Sequence, residues 1–240
     1  MQVKRFNEKF TKAWDQIVWQ ANNGTIFHTR QFLAYHSQDR FIDHSLIFYK
    51  KNRPYVLLPA AEVISVPEKM LISHPGASMG SFVVPEDLSI ANALELVESL
   101  NSYAKNQGFS GVRITLPPTI YNKRQSNYID FSLLQCGYQY FKREVSSILF
   151  LEDSIEENLA KFNPAHQRAV RKAQRMDVDV RQTDDFESFY EILRKNLKTR
   201  HGVEPTHTVA ELKSLKILFP DHIQLNGAFV KDIMIGGVVN

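Results

Sequence analysis

Short apolar runs with strand character alternate with stripes at helical spacing along the whole chain, and this alternation restricts the fold more than any single motif does. Residues 3–6 read as a short strand. Residues 8–19 place Phe10, Trp14, Ile17 and Val18 on one helical face before Asn22-Asn23-Gly24 breaks the chain. Thr29 can cap a helix carrying Phe32, Leu33 and His36. The runs 45–49 and 55–63 are β-prone and are joined by Lys51-Asn52-Arg53-Pro54, which predicts a hairpin. Residues 69–73 predict a further strand. Asp87 or Ser89 can start a helix that carries Leu94, Val97, Leu100 and Tyr103 and stops near Gly108. Strand 112–116 is closed by Pro117-Pro118, a short helix at 128–136 stops at Gly137, and 146–151 predicts a strongly apolar strand.

Three capping-box patterns mark the part that follows: Ser154-x-x-Glu157, Asp184-x-x-Glu187 and Thr208-x-x-Glu211. Asn163-Pro164 suit the cap and first position of a helix that runs to about Met176. Residues 178–181 alternate like a strand. Phe186, Phe189, Tyr190, Leu193 and Leu197 form an apolar stripe ending at Gly202. Runs 223–230 and 233–239 predict a hairpin turning at Lys231-Asp232, since a turn at Asn226-Gly227 would leave very unequal arms. The order fits an α/β protein of mixed sheets flanked by helices.

Composition narrows the function classes. Hydrophobic residues make up 43% of the 240, enough for one large or two small cores, and 23% are charged. The formal net charge of +3 does not by itself imply nucleic acid. One cysteine, Cys136, excludes an internal disulfide framework and fits a reducing compartment. No stretch is long and apolar enough to span a membrane, and the first residues lack a signal-peptide core, so a cytoplasmic location is expected.

Two segments carry candidate chemistry. Arg168, Arg171, Lys172 and Arg175 stand at i, i+3, i+4 and i+7, on one helical face, with Ala169, Ala173 and Met176 opposite and no acidic residue between 162 and 176. Phosphate or carboxylate suits the arginine fork; the same spacing also fits a solvated face. Arg200-His201-Gly202-Val203-Glu204-Pro205-Thr206-His207 gathers two imidazoles, a carboxylate and a guanidinium. Histidine and glutamate can accept a proton from an amine, while Gly202 also fits a helix C-cap with Arg200 and His201 in the last turn. Two histidines without a third ligand make no zinc site. The loop His74-Pro75-Gly76-Ala77-Ser78-Met79-Gly80 follows a strand, where backbone amides can approach a ligand, but it lacks P-loop spacing and reads first as a tight strand exit. Cys136, at an apolar helix end, reads as a packing residue.

Together these segments resemble the FemABX-like acyltransferases, which carry tandem GNAT-type modules. The resemblance rests on Phe27-His28-Thr29-Arg30-Gln31-Phe32, on Ser73-His74-Pro75-Gly76-Ala77-Ser78, on the basic stretch from Phe162 to Ala173, and on the loop from Arg200 to His207 with the strand containing Ile235-Gly236-Gly237. It implies a GNAT-like module at residues 1–152 and the start of a second, catalytic and donor-binding one at 153–240. It implies transfer of an acyl or aminoacyl group from acyl-CoA or aminoacyl-tRNA to an amine, with a small molecule or cell-wall precursor as acceptor and no bound metal or redox cofactor. His207, then Glu204 and His201, are the expected proton acceptors. Arg168, Arg171, Lys172, Arg175 and Arg200 are the expected ligand-binding residues. Nothing matches an Arg/Gln-x-x-Gly-x-Gly/Ala pyrophosphate loop, so the second module is expected to be incomplete, with a strand edge open to self-association. The alternative expectation is a non-catalytic module that holds tRNA or a nucleotide-linked sugar on the basic helix.

Overall fold

A computed structural model describes residues 1–36, 40–65 and 67–240. The fold is mixed α/β and divides into two units, Met1–Glu144 and Val145–Asn240. The first opens with β1 (Gln2–Arg5), α1 (Thr11–Gln20), α2 (Arg30–Leu33) and β2 (Ile42–Asp43). β3 (Leu46–Lys50) then folds back on β4 (Arg53–Leu58) through Lys51 and Asn52, both left-handed with φ of 49° and 61°. A two-residue turn with positive φ matches the right-handed twist of its strands. β5 (Ala61–Ser65), β6 (Glu68–Ile72), α3 (Ile90–Asn106), β7 (Gly111–Arg113) and α4 (Tyr128–Gln135) complete the unit.

Two sheets result, ordered β1-β3-β4 and β2-β5-β6-β7, with every pair antiparallel except β6 and β7. The run expected as one strand at 55–63 is divided between them. Pro59 interrupts it, and proline cannot supply the amide that a continuous ladder needs. β3 and β4 are buried on both faces. Leu46, Phe48, Val56 and Leu58 pack with Leu96, Val97 and Leu100 of α3. The intervening Ile47 and Leu57 join Trp14 and Val18 of α1. The period-two alternation of side chains thus serves two cores. Complete burial of one such side chain stabilises by about 1.5–3 kcal/mol, so Leu58→Ala would be felt throughout the first core.

The second unit contains α5 (Ile155–Ala160), α6 (Pro164–Arg175), β8 (Asp179–Thr183), α7 (Phe186–His201), α8 (Val209–Leu218), β9 (Leu225–Val230) and β10 (Ile233–Val239). Its antiparallel sheet has the order β10-β9-β8. Lys231 and Asp232, at φ 48° and 64°, make the β9–β10 turn. Phe186 and Phe189 of α7 meet Leu212, Leu225, Phe229 and Met234 in a core of their own.

Three local expectations are corrected. Segment 146–151 forms no strand: it joins none of the described ladders, and its Phe150 and the preceding Val145 are 73% and 98% exposed. A strand is defined by pairing, and apolar composition cannot provide the partner. The cap of α7 is Asp185 rather than Asp184, with its carboxylate accepting the Ser188 amide at 3.0 Å. β7 is shorter than the predicted 112–116 run.

Candidate functional site

Asn163 and Pro164 launch α6 as their sequence implies, the Asn163 side chain accepting the His166 amide at 3.0 Å. No residue of the helix is buried. Arg168, Arg171, Lys172 and Arg175 all lie exposed, and among the described residues none of them forms an ion pair. Four positive charges with no local acid raise the potential along one side, which a bound phosphate or carboxylate would offset.

Arg200 and His201 occupy the last turn of α7, where the carbonyl end of the helix favours positive charge. Gly202 closes the helix at φ 65°, its amide donating to the Lys198 carbonyl at 3.2 Å. Glu204 is exposed and His207 half-buried. Thr208 then caps α8 reciprocally: its amide donates to Glu211 Oε2 at 2.8 Å, and its hydroxyl accepts the Glu211 amide at 3.2 Å. Arg200 and His201 therefore end α7, and Glu204 and His207 lie in the short loop that joins it to α8. Among the described residues, no group of three His, Cys, Asp or Glu side chains could hold a metal ion.

The first unit contains an arrangement that the sequence did not reveal. The loop after β6 is held by imidazoles. His28 is fully buried, with Nε2 at 2.7 Å from the Gly80 carbonyl and Nδ1 at 2.9 Å from Thr25 Oγ1. His36 Nε2 lies 2.8 Å from the Gly76 carbonyl. His74, 3% exposed, accepts the Gly76 amide on Nδ1 at 3.2 Å. That bond leaves the ring proton on Nε2 in the neutral form. Burial holds His74 down at about 4, with Asp43 opposing and Arg30 and His36 reinforcing. Burial also lowers His28, against its bonds to Gly80 and Thr25. Gly76 is required here: a Cβ on it would lie 2.4 Å from His36 Nε2. The signal present in the sequence was the placement of histidines within apolar or small-residue segments.

Arg30, which lies near this loop, is a structural cation. Its guanidinium meets Asp43 Oδ2 at 3.0 Å and Ser45 Oγ at 3.0 Å, and stacks 3.9 Å above the Phe6 ring. His44 forms a second buried relay, with Nδ1 at 2.6 Å from Glu62 Oε1 and Nε2 at 2.8 Å from Tyr103 Oη. Burial lowers His44 and raises Tyr103, so Tyr103 donates its proton and does not act as a phenolate at neutral pH. A concavity of about 470 Å³ beside Tyr103 is lined by Met1, Val3, Glu95 and Ser99, and the N-terminal ammonium sits 2.7 Å from Glu95.

No protein-family model and no curated protein matches the sequence. Solved structures do match. FemX superposes with a TM-score of 0.62 at 14% identity, over 95% of this chain and 57% of its own. The fold is FemX-like. The chain therefore spans little more than half the length of FemX, and the mixed α/β architecture of sheets flanked by helices expected from the sequence is present. Lower-scoring matches are a probable acetyltransferase (TM-score 0.41, 10% identity, 64% of this chain and 100% of that one) and the aminoglycoside 6'-N-acetyltransferase AAC(6')-IG from Acinetobacter haemolyticus (0.36, 14%, 63% and 100%).

Proposed function

We propose that this FemX-like chain takes part in transfer of an acyl or aminoacyl group to an amine. The observation that carries the reading is the likeness to FemX across 95% of the chain. The exposed cationic face of α6 and the loop from Arg200 to His207 supply the matching chemistry. His207 is the preferred base, because Pro205 and the Thr208 cap restrain the backbone on either side of it. It accepts a proton from the acceptor ammonium. The freed amine attacks the donor carbonyl carbon, a C–N bond forms, and the C–S bond of an acyl-CoA or the C–O bond of an aminoacyl-tRNA breaks. The nitrogen loses a second proton as the amide forms, which the departing thiolate or alkoxide takes up, while the first passes from His207 to solvent. Glu204 orients the imidazole or binds the ammonium. Arg168, Arg171, Lys172, Arg175 and Arg200 hold donor or acceptor phosphates, and His201 assists at the end of α7.

The test measures transfer from acetyl-CoA or an aminoacyl-tRNA to a panel of primary amines that includes cell-wall precursor peptides. It is run on this chain and on any longer form its gene encodes. His207→Ala is expected to lower turnover on the order of a hundredfold and to remove the acidic limb of the pH–rate profile. Parental turnover and an unchanged limb in His207→Ala, His201→Ala and Glu204→Gln would assign this loop a purely structural role. The cations of α6, which form no ion pair among the described residues, favour a second reading, a module that holds tRNA or a nucleotide-linked sugar without turnover. Strong, salt-dependent RNA binding in the absence of transfer would select it.

A further inference from the structure

Helix α6 is open on two sides of opposite character. Its cationic stripe, Arg168, Arg171, Lys172 and Arg175, has no ion-pair partner among the described residues. The adjoining side carries apolar residues, interrupted by His166 and Gln174, and none of it is buried. Ala169, Ala173 and Met176 follow one another at helical spacing, with Met176 59% exposed, and Val170 and Phe162 beside them are 36% and 40% exposed. An occupant that satisfies the whole helix must present anions and hydrocarbon along the same plane. A bare polyanion such as RNA would pair with the arginines and leave Met176 and Val170 in water. An anionic bilayer surface offers phosphates directly above acyl chains. A helix lying in that interface puts its cations among headgroups and its apolar side against the chains.

We infer that α6 is a peripheral anchor that docks this protein on an anionic lipid surface. The inference rests on the anion-binding reading of α6 and takes lipid headgroups, in place of donor or acceptor phosphates, as the anions that Arg168, Arg171, Lys172 and Arg175 meet. Glu156 and Glu157, in the first turn of α5, repel such a surface. The contact is therefore assigned to α6 and the adjacent Phe162, not to the whole stretch leading to them. Cations near an anionic membrane each strengthen binding roughly fivefold, so the four supply a factor of several hundred, and apolar burial adds to it.

The experiment is co-sedimentation of the full chain with vesicles of phosphatidylcholine alone or with about one-third phosphatidylglycerol, repeated with a short RNA as competitor. The parent is expected to sediment with the anionic vesicles and to be released by salt. Arg171→Gln with Arg175→Gln is expected to weaken this roughly thirtyfold. Val170→Gln with Met176→Gln, which leaves every charge in place, is also expected to weaken vesicle binding while RNA binding stays unchanged. Because no residue of α6 is buried, circular dichroism of both variants should match the parent. Equal sedimentation with neutral and anionic vesicles overturns the proposal, as does an apolar-face variant that sediments like the parent. RNA binding lost in the charge variant, without vesicle sedimentation, keeps α6 as an anion site and rejects the lipid surface.

Discussion

His74 shows how one buried side chain can couple the fold to pH. Its imidazole is neutral in the folded unit because burial disfavours the charged form, and its protonation is displaced to about 4. In an unfolded chain the same group titrates near 6.5. Above that value both states are neutral and the contribution to stability is complete. As pH falls from 6.5 towards 4 the unfolded state binds the proton first, and stability is lost. At roughly 1.4 kcal/mol per pKa unit the loss is on the order of 3 kcal/mol. His28 and His44, also lowered by burial, act in the same direction. His74→Asn, whose side-chain oxygen can still accept the Gly76 amide, is expected to flatten the denaturation midpoint between pH 6.5 and 4. An unchanged slope in urea titrations would falsify this assignment. The sequence placed His74 in a small-residue loop but could not indicate its burial. Its neighbours Arg30, Asp43 and Phe41 come from other segments, and only the folded unit brings them within range.

At the scale of elements, signals that act over three or four residues were legible. Thr208 and Glu211 form the reciprocal cap they spell out, Asn163 and Pro164 start α6, and Lys231-Asp232 turns the last hairpin. Thr208→Ala is expected to cost about 1 kcal/mol. A thermal melt should show the loss, and Thr208→Ser should restore most of it; equal melting of all three proteins would deny the cap any energetic role. Features that depend on a distant partner were not legible. The apolar run 146–151 looked like a strand, but the ladder of β8, β9 and β10 closes without it. The strand pattern at 55–63 did not show that β4 and β5 belong to different sheets. The candidate site divides the same way. The basic face of α6 follows from helical spacing and was read directly, whereas the relay of Glu62, His44 and Tyr103 joins three separate elements or their flanks.

For the whole molecule, each unit carries its own core, and residues 139–153 between and beside them have no helix or strand among the described elements. Exposed irregular backbone is where proteases cut first. Brief trypsin treatment is expected to cleave at Lys142 or Arg143 and to leave two resistant fragments. Random fragmentation, or resistance of this stretch at protease levels that cut elsewhere, would contradict the division. The parallel pairing of β6 with β7 has a further consequence, for the order of folding. The β3–β4 hairpin closes over two residues, but β7 reaches β6 only after the chain has passed through α3. Closing the longer segment costs more entropy before any contact repays it. The bond from the Thr115 amide to Ser73 Oγ and that from the Gly80 amide to the Thr115 carbonyl cannot form until this crossover is complete. The histidine-held loop is therefore among the last parts of its unit to acquire native structure, and a nascent chain has its first hairpin well before it has that loop.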